Sequence, residues 1–187
     1  MPKTLVIYFS KYGATKKYAE WIAGELGGDV CGIRDVNVNA LKDYDAIVVG
    51  SGLYAGNIKG IDILVNNFET LKGKKMALFT CGLADYGKDE NRSEISKRIE
   101  AAIPENIRQN IKIYFLRGAI DYSKLTAAHK MMMAFVKKLR VKKDGENYSE
   151  EDKAFLETYG KAVDYTDKNS IAGIVEYCRE GLKGGGF

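Results

Sequence analysis

Cysteine and histidine are too sparse in this chain to carry most of the chemistry they usually support. Cys31, Cys81 and Cys178 are odd in number, far apart and without a C-x-x-C pair, which argues against a disulfide framework and for reduced thiols in the core. His129 stands alone, so neither a zinc site nor a Cys–His nucleophile has the parts it needs, and no metal is expected. No apolar run approaches the ~18 residues of a membrane span. No amino-terminal stretch joins a basic region to a long apolar core and a small-residue cleavage site, so the expectation is a cytoplasmic protein that does not cross a membrane. Acid is missing from one segment altogether. Between Lys124 and Lys143 there are seven lysines and arginines and no aspartate or glutamate, so with a net charge of +4 the rest of the chain carries −3. No RNP, helix-turn-helix or finger pattern accompanies that charge, and nucleic acid is not an expected partner.

What is present is a repeating alternation. With 187 residues and 45% hydrophobic content, the chain is long enough for one well-buried domain over residues 1–187. Its organising stretch runs from Lys3 to Leu26. Leu5 to Phe9 form a near-continuous apolar run, as expected of a strand covered on both faces. Tyr18, Ala19, Ile22 and Leu26 then fall at helical spacing, and Gly27-Gly28 ends the pattern. The turn between them, Ser10-Lys11-Tyr12-Gly13-Ala14-Thr15, places hydroxyls at both ends and a glycine where backbone must turn sharply. A helix N-terminus exposes unpaired N–H groups, so this turn suits a phosphate. The spacing is neither the G-x-x-x-x-G-K-[ST] of a P-loop nor the G-x-G-x-x-G of a dinucleotide site. Without a ligand, the same six residues are a tight turn capped by Ser10.

The pattern recurs along the chain. Val30 to Ile33 predict a second strand, with a short helix or turn near Ala40. Ala46 to Val49 predict a third, ending in a flexible loop at Gly50-Ser51-Gly52, followed by a helix marked by Ile61, Leu64, Val65, Phe68 and Leu71. Met76 to Phe79 predict a fourth strand that ends in a loop from Gly82 to Gly87, and a helix follows over residues 90–102. Ile111 to Leu116 predict a fifth. Strands alternating with helices predict right-handed crossovers and a parallel sheet, and five of them suit the doubly wound order 2-1-3-4-5. In that order ligands bind beyond the carboxyl ends of the strands, at the switch between strands 1 and 3. The loops at that edge contain Ser10 to Thr15, then Ser51, Gly52, Leu53, Tyr54, Ala55 and Gly56, then Cys81, Gly82, Leu83, Ala84, Asp85 and Tyr86.

The S-x-x-G-x-T turn resembles the phosphate loop of the flavodoxin family, T-x-T-G-x-T, with Tyr12 where the family usually has a second threonine. The resemblance implies a three-layer sandwich with FMN as cofactor: residues 10–15 at its phosphate, Ser51 to Gly56 on one face of its ring and Cys81 to Tyr86 on the other, with Tyr54 and Tyr86 flanking it. Further along, Arg117-Gly118-Ala119-Ile120-Asp121-Tyr122, a long amphipathic helix and a later Tyr165-Thr166-Asp167 resemble the menaquinone-dependent protoporphyrinogen oxidase branch. Tyr54-Ala55 replaces that branch's charged residue followed by an aromatic one. The branch implies an oxidoreductase acting on a porphyrinogen with a quinone as acceptor. A small carrier passing electrons between proteins is the alternative, although ordinary flavodoxins are acidic and this chain has its basic segment.

That segment lies in a helical excursion expected over about residues 122–162. Leu125, Ala128, Met132, Phe135, Val136 and Leu139 keep a helical rhythm from Lys124 to Arg140, with Met131 and Met133 widening the apolar face. Either that face packs on the sheet with its lysines in water, or the helix covers an acidic substrate or lies on an anionic membrane at the inner face of the cell. Tyr122, Lys130, Lys137, Lys138 and Arg140 are the expected substrate or membrane contacts. A Ser149-x-x-Asp152 capping pattern predicts a further helix to Gly160, and Thr166 or Asp167 caps a last one carrying Ile171, Ile174, Val175, Cys178 and Leu182. Gly184 to Phe187 are expected to fray.

Overall fold

The computed structural model describes residues 2–54, 57–141, 148 and 150–180. The proposed ring contacts Ala55 and Gly56, the side chains of Tyr54 and Arg140, the capping Ser149, Leu182 and the tail from Gly184 lie outside what it describes.

Strand β1 (Thr4–Phe9) pairs in parallel with β2 (Asp29–Gly32) and β3 (Ala46–Tyr54); β3 pairs with β5 (Lys75–Gly82), and β5 with β6 (Ile111–Arg117). A two-residue β4 (Asn57–Ile58) folds back antiparallel on the end of β3. The five parallel strands therefore stand in spatial order 2-1-3-4-5. Side chains alternate between the two faces of each strand, so the central strands feed two cores. Leu5, Ile7, Ile47, Val49, Met76 and Leu78 point to one side. There they meet Leu41, Leu64 and Leu71, together with Ile95 and Ile99 of α4 (Asp89–Ala102). Val6, Val48, Ala77 and Phe79 point to the other, against Tyr18, Ala19 and Ile22 of α1 (Ala14–Leu26) and Ile174, Val175 and Cys178 of a helix near the carboxyl end. This is the three-layer sandwich of the flavodoxin-like class.

Several boundaries differ from the sequence reading. Gly50-Ser51-Gly52 does not end the third strand, which continues to Tyr54. Ser51 is fully buried, and its hydroxyl accepts the Lys59 N–H at 2.9 Å, tying the β3–β4 turn down. The helix expected between Ile61 and Leu71 is two, α2 (Asp62–Asn66) and α3 (Phe68–Leu71). Asn67 breaks them, its side-chain amide donating back to the Ile63 carbonyl at 2.8 Å. A one-turn α5 (Glu105–Arg108) precedes β6. The stretch after Gly118 is β7 (Ala119–Asp121), antiparallel to β8 (Ala162–Asp164) in a separate two-stranded ribbon. Between its strands the chain makes a 3₁₀ turn at Tyr122–Lys124, then α6 (Ala127–Val141) and α7 (Glu150–Thr158). After β8, the Asp167 carboxylate caps a 3₁₀ turn at Lys168–Ile171 by accepting the Asn169 N–H at 2.9 Å, and α8 (Ala172–Arg179) follows.

Helix α6 departs most from expectation. Its apolar face is the broad one expected, but only part of it is covered: Met132, Met133 and Val136 are half-buried, whereas Met131, Phe135 and Leu139 are 73%, 61% and 51% exposed. Three consecutive methionines spread the apolar face over more than half of the circumference, so periodicity alone does not say which part of it packs. The cysteines meet the expectation of reduced thiols. All three are free, Cys81 and Cys178 are buried, and burial pushes their thiols up to about 12 and about 11.

Candidate functional site

The turn after β1 is fixed by its own residues. Gly13 has φ +97°, a conformation that L side chains avoid, and it precedes α1 directly. Its N–H donates to the Ser10 hydroxyl at 3.1 Å, and its carbonyl accepts from Lys17 N at 2.9 Å. Ser10 thus shapes the turn. A Cβ on Gly13 would meet nothing within 4 Å, so the turn is open to an incoming group, and the first N–H groups of a thirteen-residue helix stand behind it. A phosphate monoester fits those donors.

The turn opens into a cavity of about 460 Å³ at the carboxyl edge of the sheet, a size common for small-molecule sites. Lys11, Tyr12, Ala14 and Thr15 line one end. Gly52, Leu53, Gly82, Leu83, Ala84 and Tyr86 line the middle, with the buried thiol of Cys81. Helix α4 contributes Asn91, Glu94, Ile95 and Arg98. The excursion contributes Leu125, His129, Met132, Met133 and Val136, with Phe155 of α7. Close packing holds the middle to shape: a Cβ on Gly82 would collide with the Tyr86 hydroxyl and stand 2.9 Å from Leu53 Cδ1. Gly118 donates to the Gly82 carbonyl at 2.6 Å, and a Cβ there would lie 2.9 Å from Cys81 Sγ, so the start of the ribbon is pressed against the site. Beside it, the Arg117 guanidinium lies 3.9 Å from the Tyr165 ring centroid and donates to the Leu83 carbonyl at 3.4 Å.

Not every expected contact faces the cavity. Ser51 is buried in the turn just described, and Asp85 turns away, its carboxylate accepting the Gly87 N–H at 2.9 Å. Tyr86 reaches the cavity but is buried, its ring packed at 5.7 Å on Phe115, so it walls the site and is no exposed stacking platform. Tyr122, expected at substrate or membrane, is a correction: it does not line the cavity and is buried against Tyr159 at 5.1 Å. Burial pushes its phenol up to about 12. Lys130, Lys137 and Lys138 stand on the exposed side of α6.

Sequence reading did not place Lys59, Asn91, Glu94, Arg98 or His129 at the site. His129 matters most. Its Nδ1 is in short contact with the Tyr12 hydroxyl, its Nε2 is 3.4 Å from Lys11 Nζ, and its ring meets Tyr12 edge-on at 5.7 Å. A residue 117 positions away in sequence thus ties α6 to the phosphate turn. His129→Ala should leave global stability within about 1.5 kcal/mol of the parent, the scale of one hydrogen bond, while proteolysis between residues 124 and 148 accelerates several-fold. Equal cleavage rates would show that the tie does not hold the helix.

A doubly wound sheet with an anion-binding turn after its first strand, and a cavity at the switch between strands 1 and 3, defines a nucleotide-type cofactor protein. Among the described residues no group of histidine, cysteine or acidic side chains could hold a metal. The chain belongs to the flavodoxin domain family, whose model matches residues 5–147, and its cofactor is FMN. It is 22% identical over 146 residues to a protoporphyrinogen IX dehydrogenase (quinone) of Leishmania major, covering 74% of this chain and 63% of that protein. It therefore spans less than two thirds of that relative. It is 31% identical over 98 residues to a flavodoxin of Maridesulfovibrio salexigens, covering 46% of this chain and 67% of that one. A solved flavodoxin, a WrbA-like protein from Agrobacterium tumefaciens, aligns with a TM-score of 0.42 and 22% identity over 55% of this chain and 72% of its own.

Proposed function

We propose that this protein is an FMN-dependent oxidoreductase that acts on a small molecule inside the cavity. FMN supplies reversible one- and two-electron redox chemistry when bound. The chain's part is to place and shield it. The α1 N-terminus and the hydroxyl of Thr15 bind the phosphate, with Ser10 holding the turn in shape. Leu53 and the backbone of Gly82 to Ala84 border the ring, and Met132, Met133 and Val136 exclude water. The Cys81 thiol, held neutral by burial, contributes packing and no nucleophile.

The observation that carries this reading is α6. Its Met132, Met133 and Val136, with Leu125 and Phe155, line a cavity that also reaches Arg98 and Glu94, giving room and an apolar wall for a second molecule. The dehydrogenase relative makes a porphyrinogen the first substrate to test and a quinone the first acceptor, which suits a cytoplasmic protein working at the inner face of the membrane. The 31% identical flavodoxin relative supports the second reading, a carrier between protein partners. Titration of cofactor-free protein with FMN, FAD and riboflavin comes first, and FMN should bind tightest because only its terminal phosphate meets the turn. Turnover of a porphyrinogen with a quinone supports the oxidoreductase. Reduction of a protein acceptor without such turnover supports the carrier.

A further inference from the structure

Helix α6 reaches the phosphate turn through His129, which stands in the first turn of that helix. Thr126 caps it there: its hydroxyl accepts the His129 N–H at 3.3 Å, and its carbonyl accepts the Lys130 N–H at 2.9 Å. The backbone under the ring is therefore held in place. The ring Nε2 lies 3.4 Å from Lys11 Nζ, and Nδ1 touches the Tyr12 hydroxyl. An ammonium can only donate, so Nε2 accepts from Lys11 and the ring hydrogen sits on Nδ1, facing the Tyr12 oxygen. Lys11, Tyr12 and His129 line the cavity together with Ala14 and Thr15. The lysines at the start of α1 are turned elsewhere. Lys16 pairs with Glu20 at 3.6 Å, and Lys17 meets Asp164 at 3.1 Å and Thr166 at 2.8 Å.

We infer that His129 is a positioning residue for the FMN phosphate: it holds the Lys11 ammonium at the turn, so that the phosphate meets a fixed cation as well as the N–H groups of α1. The inference rests on the proposed placement of the phosphate at this turn. A lysine is a point charge on a flexible four-carbon stem, and ordering that stem opposes binding. His129 orders it before the cofactor arrives. A phosphate monoester is strongly anionic at neutral pH, so the gain falls on FMN and not on riboflavin, which brings a neutral hydroxyl to the same place. A residue of the helical excursion thereby sets which form of the flavin the scaffold retains. Linkage makes the effect mutual. Bound FMN holds the start of α6 by the same factor by which His129 strengthens FMN binding.

The test titrates the full chain, stripped of flavin, with FMN and with riboflavin, following flavin fluorescence. The parent should bind FMN more tightly. His129→Ala should weaken FMN about tenfold, the scale of one hydrogen bond to a charged group, and leave riboflavin within about twofold. Retained riboflavin binding shows that the variant is folded. His129→Gln, whose amide offers both a donor and an acceptor, should restore most of the preference for FMN. Lys11→Met should lose that preference to the same extent as His129→Ala, and the two together should lose no more than either alone, because the histidine acts through the lysine. Equal weakening of FMN and riboflavin by His129→Ala would make the residue a general support of the cavity wall and overturn the inference. So would an unchanged preference. A parent protein that holds riboflavin as tightly as FMN overturns the placement of the phosphate itself, and the inference with it.

Discussion

Replacing Gly13 by valine should lower FMN affinity by about a hundredfold while the protein still folds. A Cβ at this position meets nothing within 4 Å, so in the free protein the penalty lies in the backbone. A β-branched residue at φ +97° is a conformational outlier that costs on the order of 1–3 kcal/mol. The turn escapes that cost by leaving the left-handed region, and in doing so it carries away the donors that α1 presents. A tenfold change in affinity corresponds to about 1.4 kcal/mol, so strain and lost contacts together reach two decades. Gly13→Asn, a residue that tolerates positive φ better, should fall between parent and valine variant. Isothermal titration of cofactor-free protein with FMN measures all three. A folded valine variant with parental affinity would place the phosphate elsewhere.

The largest stability effect should come from the pair Gly50 and Phe79. They are register partners across β3 and β5, and the Phe79 ring lies so closely over Gly50 that an added Cβ would stand 2.8 Å from Cε2 and nearer still to two other ring carbons. Phe79 is fully buried, with Tyr18 edge-on at 6.3 Å. Phe79→Ala should cost about 3–5 kcal/mol, which for a chain of this length lowers the melting temperature by roughly 6–20 °C. Gly50→Ala should cost about 1–3 kcal/mol by overpacking. The double variant should cost less than the two together, because the new methyl occupies space the ring has vacated. Denaturant melts of the four cofactor-free proteins give the coupling. Simple additivity would mean that the ring does not need the glycine.

The same pair explains part of what sequence could not reveal. Gly50 and Gly52 read as strand breakers, yet here one glycine makes room for an aromatic ring on the neighbouring strand, and β3 runs past both to Tyr54. The apolar runs at Leu5, Ala46, Met76 and Ile111 were legible because buried parallel strands need side chains on both faces. The tight turn between β1 and α1 was legible because its glycine and the Ser10 hydroxyl that holds it are local. β7 and β8 were not, because three residues apiece, half-buried in β7 and mostly exposed in β8, leave no run to find, and each strand is defined by a partner some forty positions away. His129 escaped notice for a similar reason: nothing local marks a residue whose role is to meet Tyr12. Nothing in the sequence singled out Asn91, Glu94 and Arg98 of α4, because charged and polar residues at helical spacing ordinarily form a solvated face.

The ribbon has one more implication. Asp121 and Ala162 are direct cross-strand partners, so the chain leaves for α6 and α7 and returns within about 5 Å of its departure point. What lies between them is a loop in the topological sense: its described residues contribute no strand to the main sheet, and it leaves and re-enters the core at one place, with His129 tying it back to Tyr12. Such a cassette can be shortened, exchanged or lost while the five-strand scaffold and the turn after β1 remain in place, in the way that insertions at closely spaced ends are tolerated. The turn after β1 and the β3 and β5 ends of the cavity belong to the scaffold, whereas His129, Met132, Met133, Val136 and Phe155 on its wall belong to the cassette, so the two parts of the lining can diverge independently.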